Sequence, residues 1–186
     1  EVTRLPFPEK GREQVTLDAL EAACREAPAA LLVEPLILGA GGMHIYAPAV
    51  LAEMAAICAR HGVLFIADEV MTGFGRTGTL FACEQAGVVP DIACYAKGLT
   101  GGSLPLAVTL CRRAIFDAHY STDRARTFFH SSSFTANPIA CAAAVANLKI
   151  WADEPVGARI AALGDAHEER LARFRDDRRF ANVRRL

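Results

Sequence analysis

The sequence predicts an α/β fold in which helices cover both faces of a mainly parallel sheet. Two short apolar runs, residues 63–67 and 92–96, carry no charge and do not alternate between polar and apolar residues. Such runs are typical of parallel strands that are buried on both faces. Asp68 directly follows the first run, and Lys97 directly follows the second. Because ligands bind outside the carboxyl ends of the strands in open α/β sheets, this acid and this amine predict a binding site there.

Lys97 is one of only three lysines in the chain. Lys10 lies in a polar leader, and Lys149 lies in a predicted helix that can expose it. Only Lys97 follows a buried run, a context that lowers the pKa of an amine toward its reactive free form. Together with Asp68 it suits a cofactor that needs one group to form an imine and another to keep a ring nitrogen protonated.

Composition and charge exclude several classes of protein. The 186 residues are 52% hydrophobic, which is enough for the core of one domain or of part of a larger one. The net charge of −1 gives no general surface for polyanions, and the basic residues are not clustered as nucleic-acid binding requires. Because the chain begins with Glu1 and ends in a basic tail, we expect a fragment of a longer protein.

The six cysteines include no C-x-x-C pair and mostly stand among alanine and aliphatic residues. This pattern favours small buried hydrophobic side chains in a reducing compartment over disulfides or metal ligands, so we expect no metal site. No apolar run approaches the roughly 18 residues of a membrane span, and the start has no signal-peptide pattern. We therefore expect a soluble cytoplasmic protein.

Helical and strand patterns alternate along the chain, as expected for right-handed crossovers between parallel strands. Pro48 opens the clearest helix, whose apolar residues keep helical spacing until His61 and Gly62 end it. Residues 104–111 predict a further strand, which need not be parallel to the others. The remaining predicted elements are a helix over 16–26, a strand over 29–33, a flexible glycine loop over 39–42, a short helix over 80–87, helices over 139–151 and 156–174, and the start of a strand over 180–186.

Residues 73–78 formally match the G-x-G-x-x-G pattern of a dinucleotide site. The glycines of such a site directly follow a strand and open a helix, whereas four residues separate Asp68 from Gly73 here. Asp91 begins its strand after Pro90, although the acid that binds a ribose ends one. A nicotinamide-binding oxidoreductase is thus one alternative function, and a catalytically silent α/β module is another.

A cluster of hydroxyl side chains precedes the alanine-rich helix, namely Ser131, Ser132, Ser133 and Thr135. Hydroxyl groups directly before a helix either cap its first turn or hold a phosphate at its N-terminus. Composition alone favours the cap.

Four motifs together resemble the class III aminotransferases, which use pyridoxal phosphate. They are Ala67-Asp68-Glu69-Val70, residues 73–78, Pro90-Asp91-Ile92 and the lysine segment 97–102. The spacing of 29 residues from Asp68 to Lys97 is the usual one in the family. The resemblance implies the α/β/α sandwich of the large domain of a fold-type I enzyme over residues 1–151. It also implies a helix and the start of a small C-terminal domain over residues 152–186.

The resemblance also implies roles for individual residues. Lys97 would bond to the cofactor aldehyde and carry a proton between the substrate carbon and the cofactor. Asp68 would pair with the pyridinium nitrogen and keep it protonated, and Val70 would pack against the ring face. Ser133 stands where the family usually has threonine and would contact the cofactor phosphate from the neighbouring subunit, which implies an obligate homodimer. Glu34, a further candidate for cofactor binding, would orient the site or pair with an arginine.

Further pieces of the sequence resemble a branch of the family that acts in biotin synthesis. They are Glu34-Pro35 and residues 39–43, 80–84 and 130–141, although Leu38 stands where that branch often has glutamine. The branch transfers the amino group of S-adenosylmethionine to 8-amino-7-oxononanoate, whereas the near alternative uses an ω-amine or β-amino acid with pyruvate. The family's phosphate loop and ring-stacking aromatic would lie upstream, and its arginine for the substrate carboxylate downstream. We therefore expect the isolated chain to be inactive.

Overall fold

A four-stranded sheet forms the centre of the fold and places the acid and the lysine on neighbouring strands. The computed structural model describes residues 2–130 and 132–186. Its elements are α1 (Glu13–Cys24), β1 (Ala30–Val33), β2 (Ile37–Leu38), β3 (His44–Ile45), α2 (Pro48–His61), β4 (Leu64–Asp68), a 3-10 helix (Ala82–Ala86), β5 (Ile92–Tyr95), a second 3-10 helix (Lys97–Thr100), β6 (Val108–Cys111), α3 (Arg113–His119), α4 (Pro138–Asp153) and α5 (Val156–Arg175).

The strand order confirms the predicted α/β fold with a mainly parallel sheet. The strands lie in the order β1-β4-β5-β6. β1, β4 and β5 are parallel, and β6 runs antiparallel to β5. The apolar segment 104–111 therefore supplies the one antiparallel strand of this sheet, within the residues that the structure describes.

Helix α2 packs the predicted apolar stripe against the sheet. Pro48 begins the helix, and Gly62 ends it with a left-handed backbone at φ 67°. Its buried residues are Val50, Leu51, Met54, Ile57 and Cys58. The core continues through alternate strand residues, namely Phe65 and Ala67 of β4 and Ala93 and Tyr95 of β5. The intervening residues of these strands are half-buried, so one face of the sheet is fully covered and the other only partly.

Residues 39–42 form a turn, in line with the predicted loop, and they join two short strands that were not predicted, β2 and β3. Three other segments differ from the prediction. Residues 113–119 form an unpredicted helix, and the short helix predicted over 80–87 is a 3-10 helix. The strand predicted over 180–186 is wrong, because none of the described strands includes these residues. Instead, the Arg184 guanidinium donates hydrogen bonds to the carbonyls of Gly42 and Met43, at 3.2 and 3.0 Å.

The cysteines are all free thiols. Cys24, Cys58 and Cys83 are buried as predicted, and Cys94 and Cys141 are half-buried. The prediction of burial is wrong for Cys111, which is exposed because it lies on β6, an edge strand of this sheet. None of the helices in the described ranges is long and apolar enough to cross a membrane.

Candidate active site

Two neighbouring parallel strands bring Asp68 and Lys97 to the same edge of the sheet. Asp68, the last residue of β4, lies opposite Cys94 of β5. The Glu69 amide extends this pairing, since it donates a hydrogen bond to the Cys94 carbonyl at 2.9 Å. Lys97 comes three residues after Cys94 and begins the second 3-10 helix. Because neighbouring strands lie about 4.8 Å apart, the carboxylate and the lysine turn face one small region.

Asp68 is half-buried and partly held by its own backbone. Its Oδ1 accepts a hydrogen bond from the Val70 amide at 3.0 Å, which fixes the carboxylate at the point where the strand ends. No other hydrogen bond to this carboxylate occurs among residues 2–130 and 132–186. Its second oxygen, Oδ2, can therefore accept a hydrogen bond from a bound molecule. Val70 lies in the turn that follows the strand, and not on extended backbone.

Lys97 stands on an unusual backbone and presents an exposed side chain. Its φ of 43° is in the left-handed region, which costs a non-glycine residue about 1–2 kcal/mol. Hydrogen bonds that close the turn hold it there, including the one from the Gly102 amide to the Lys97 carbonyl at 3.1 Å. Lys97 is exposed in the described chain, so a bound molecule can reach its amine.

Glu34 follows the third parallel strand, β1, and serves the neighbouring hairpin. Its Oε2 accepts a hydrogen bond from the Gly39 amide at 2.9 Å. Its carbonyl accepts a second one from the Tyr46 hydroxyl at 2.8 Å. Among the ion pairs of the described residues, none joins Glu34 to an arginine. Glu34 thus anchors the loop beside the site, and burial raises the pKa of Tyr46 well above its usual value.

Glu69 is a buried carboxylate that the sequence did not single out. Its side chain accepts hydrogen bonds from the Thr72 hydroxyl at 2.5 Å and from the Ala82 and Cys83 amides at 3.1 and 2.9 Å. It therefore satisfies the first amides of a 3-10 helix and fastens it to the end of β4. The signal for it was an acid placed next to Asp68 with a hydroxyl three residues later, inside an otherwise apolar region.

The glycine loop 73–78 serves close packing and does not form a phosphate cradle. A Cβ atom on Gly75 would lie 2.2 Å from Ile160 Cδ1 of α5, and one on Gly73 would lie 2.9 Å from the Glu69 carbonyl. Neither a strand before the loop nor a helix after it adjoins the glycines. Asp91 is also engaged, by the Phe65 amide at 2.8 Å and by Arg112 at 3.0 Å. The nicotinamide alternative is therefore not supported.

An aromatic cluster lies behind the lysine turn. It consists of Phe74, Phe81, Tyr95 and Trp151, with the Phe81 and Tyr95 ring centroids 4.6 Å apart. A Cβ atom on Gly98 would come within 2.5 Å of Phe74 Cβ, so only glycine fits beside Lys97. Burial raises the pKa of Tyr95 to about 12. The lysine turn therefore packs against an uncharged aromatic cluster.

Ser133 lies in an exposed turn before α4. The hydroxyl groups predicted to cap α4 do not do so where they are described; Ser131 lies outside the described residues. The cap is Asn137, whose side chain accepts hydrogen bonds from the Ile139 and Ala140 amides at 3.0 and 3.4 Å. Asn137 caps the helix, and the serines do not, because Asn137 stands directly before the first helical residue, Pro138.

Comparison with known proteins agrees with this arrangement. The family model described as Aminotransferase class-III matches residues 2–186. The chain is 46% identical over 172 residues to an adenosylmethionine-8-amino-7-oxononanoate aminotransferase from Synechococcus elongatus, a match that covers 88% of this chain and 40% of that protein. A protein of the same name from Anoxybacillus flavithermus is 44% identical over 171 residues, with coverage of 91% and 38%. The chain thus spans less than half the length of these curated relatives.

Solved structures with the same fold are also aminotransferases. An (S)-enantioselective omega-transaminase from Thermomicrobium roseum matches with a TM-score of 0.82 and 35% identity, covering 95% of this chain and 43% of that one. An amine transaminase from an uncultivated Pseudomonas species, in a PLP-bound form, matches with a TM-score of 0.77 and 35% identity. This match covers 87% of this chain and 37% of that one. The strand-edge acid and lysine and these matches lead to one conclusion. The chain belongs to the class-III aminotransferase family.

Proposed function

We propose that the protein containing this chain is a pyridoxal-phosphate-dependent aminotransferase that uses Lys97 and Asp68 at its site. The observation that carries the proposal is the convergence of these two residues at the ends of adjacent parallel strands, Asp68 opposite Cys94 and Lys97 three residues beyond. A carboxylate with one uncommitted oxygen and an accessible amine are the groups that this cofactor needs. The donor set of the described residues therefore fits it.

Pyridoxal phosphate, when bound, supplies an electron sink for the carbon that loses a proton. In this proposal the residues of the chain hold and move protons. Asp68 keeps a proton on the ring nitrogen from a fixed position, because its Oδ1 is already tied to the Val70 amide. Lys97 is the amine that would hold the cofactor aldehyde and, when free, would carry a proton to or from the substrate carbon. Val70, in the turn directly after β4, would pack against the ring.

For the substrates, we propose S-adenosylmethionine as amino donor and 8-amino-7-oxononanoate as acceptor. Support comes from relatives of that name at 46% and 44% identity over most of the chain. The second candidate is an ω-amine with pyruvate, supported by the structural match to an omega-transaminase with a TM-score of 0.82. Assays of the full-length protein with each donor separate the two, because only the first candidate predicts turnover with S-adenosylmethionine.

We further propose a homodimer in which Ser133 of one subunit reaches the cofactor phosphate of the other. The exposed turn before α4 supports this role, since the Ser133 hydroxyl is not buried in its own subunit. Residues 1–151 would then belong to the cofactor-binding domain and residues 152–186 to the start of a smaller one. Six free cysteines suit a reducing compartment, so we place the enzyme in the cytoplasm.

The test of cofactor chemistry uses the full-length protein, incubated with pyridoxal phosphate, reduced with borohydride and analysed by peptide mass mapping. We expect the cofactor to be fixed on Lys97. The other lysines of this chain, Lys10 and Lys149, serve as internal controls and should remain unmodified. A Lys97→Ala variant should lose both the adduct and the transamination. A folded protein with an unmodified Lys97 would overturn the proposal.

A further inference from the structure

One side chain from a distant part of the sequence holds the lysine turn in place. Asn147 lies on α4, and its Nδ2 donates hydrogen bonds to the carbonyls of Gly98 and Leu99, at 2.9 and 3.1 Å. These contacts join residues separated by 49 and 48 positions. Asn147 is half-buried in an alanine-rich helix. A polar residue there needs partners, and the two carbonyls supply them.

The turn needs such support because its own geometry is demanding. Lys97 has a left-handed backbone, at φ 43°. Gly98 is pressed from one side by Phe74, since a Cβ atom there would come within 2.5 Å of Phe74 Cβ. Among described backbone groups, only the Gly101 amide donates to the Gly98 carbonyl, at 3.0 Å, and none donates to the Leu99 carbonyl. The Asn147 amide therefore supplies the bond that a short 3-10 helix cannot make for itself.

We propose that Asn147 is a positioning residue for Lys97: its amide clamps the turn that aims the lysine at the strand edge. The inference rests on the proposed role of Lys97. The clamp holds the turn between Phe74 on one side and α4 on the other. Because α4 begins only a few residues after Ser133, the same helix links the lysine turn to the segment proposed to reach the cofactor phosphate.

The experiment compares Asn147→Ala and Asn147→Asp in the full-length protein. The rate at which pyridoxal phosphate is fixed on Lys97 by borohydride is followed by peptide mapping. We expect Asn147→Ala to slow this capture about tenfold. The variant loses two hydrogen bonds of ordinary strength, and without them the turn no longer holds Lys97 in position for the reaction. In Asn147→Asp a carboxylate faces two carbonyl oxygens, so capture should be at least as slow near neutral pH. Relative to the unsubstituted protein at the same pH, capture in this variant should recover in part as the pH falls, because the protonated acid can donate again.

Two further measurements separate positioning from simple destabilisation. The control is Ala144→Gly, which weakens α4 by about 1 kcal/mol without removing the amide. It should lower the thermal midpoint but leave the capture rate at Lys97 unchanged. Hydrogen exchange of the Gly101 and Gly102 amides, which close the lysine turn, should accelerate in Asn147→Ala and not in Ala144→Gly. In transamination assays, kcat should fall in Asn147→Ala while KM for the amino donor changes little.

The outcomes are distinguishable from a failure of the proposed function. If both Asn147 variants behave as Ala144→Gly does, with unchanged capture and unchanged exchange at Gly101 and Gly102, the clamp is wrong. If Lys97 of the unsubstituted protein is never modified, the proposed function is wrong. Hydrogen exchange alone then tests whether Asn147 holds the lysine turn. Faster exchange of the Gly101 and Gly102 amides in Asn147→Ala than in the unsubstituted protein supports this role, and equal exchange contradicts it.

Discussion

The positions of Asp68 and Lys97 at the ends of neighbouring strands determine what these two residues can do chemically. Each is an ordinary charged residue, but each follows a run of buried residues and emerges at the open edge of the sheet. The fixed end of β4 holds the Asp68 carboxylate, and the left-handed turn aims Lys97. In the proposed function, this fixed position would keep the negative charge of Asp68 beside the cofactor ring, which a flexible surface acid could not do.

Replacing Asp68 with asparagine should lower kcat/KM of the full-length enzyme by about 10²- to 10³-fold, the range found when a preorganised electrostatic group is removed. The side-chain oxygen that accepts from the Val70 amide survives this change, so the fold should persist. Steady-state kinetics give the effect, and circular dichroism gives the fold. Asp68→Glu restores the charge in a displaced position and should recover only part of the activity.

The matched control is Asp117→Asn, which removes a carboxylate from an exposed ion pair with Arg113 on α3. Exposed pairs contribute little to stability, and this one has no place in the proposed chemistry. Its kcat/KM should equal that of the unsubstituted enzyme. If Asp68→Asn were as active as this control, Asp68 would not hold the ring nitrogen.

Residues whose partners lie far along the chain were the ones that sequence analysis missed. Glu69 binds amides 13 and 14 positions away, and Asn147 binds carbonyls 48 and 49 positions away. The local sequence indicates at most the contact of Glu69 with Thr72, because the distant contacts form only when the loop and the helices have packed. The Glu34 carboxylate likewise accepts a hydrogen bond from the Gly39 amide, a contact that the sequence did not predict.

At the scale of elements, local sequence signals predicted the ends of α2 correctly but predicted the wrong residue as the cap of α4. Pro48, Gly62 and the apolar period defined α2 because all three act within one helix. For α4, the run of hydroxyl residues suggested a serine cap, but Asn137 stands at the boundary itself. The strands β2 and β3 were not predicted, because each has only two residues. Such short strands leave no alternation to detect.

The Glu69 side chain joins two elements, the end of β4 and the 3-10 helix Ala82–Ala86, and this predicts the effect of Glu69→Gln. The new amide would place a donor where a backbone amide also donates, so one buried hydrogen bond is lost. We expect the free energy of unfolding to fall by about 1–3 kcal/mol. Urea denaturation measures the loss, and hydrogen exchange at Ala82 and Cys83 should report it locally.

Glu84→Gln is the matched control, because Glu84 lies in the same 3-10 helix but is exposed. It should change the unfolding free energy by less than about 0.5 kcal/mol. If the two substitutions gave equal effects, the buried hydrogen bonds of Glu69 would not be what fastens this helix to the sheet.

At the scale of the whole molecule, the buried cysteine thiols predict that the folded protein loses stability at alkaline pH. Burial raises the pKa of Cys58 from its ordinary 9.0 to about 12, and it raises the pKa of Cys24 and Cys83 as well. Between pH 9 and 12 the folded thiol keeps a proton that the unfolded thiol has lost. The stabilisation is therefore complete below pH 9 and disappears as the pH rises through about 12, at most about 4 kcal/mol for Cys58.

Urea unfolding at several pH values from 8 to 10.5 measures this slope. Cys58→Ala should make the slope shallower, although the lost packing lowers stability at every pH. Cys111→Ala, which removes an exposed thiol, should leave the slope unchanged. An equal slope in the Cys58 variant and in the unsubstituted protein would show that the buried thiol does not resist ionisation.

The sequence by itself determined the α/β class, the helix α2, the parallel strands and the positions of Asp68 and Lys97, because these depend on short apolar runs and on the residues that end them. Only the tertiary structure decided the role of the glycine loop, the anchoring by Glu69 and the clamp by Asn147. The physical reason is the same throughout: local patterns report which face of an element is apolar, whereas burial and hydrogen-bond partners depend on elements that are distant in the chain.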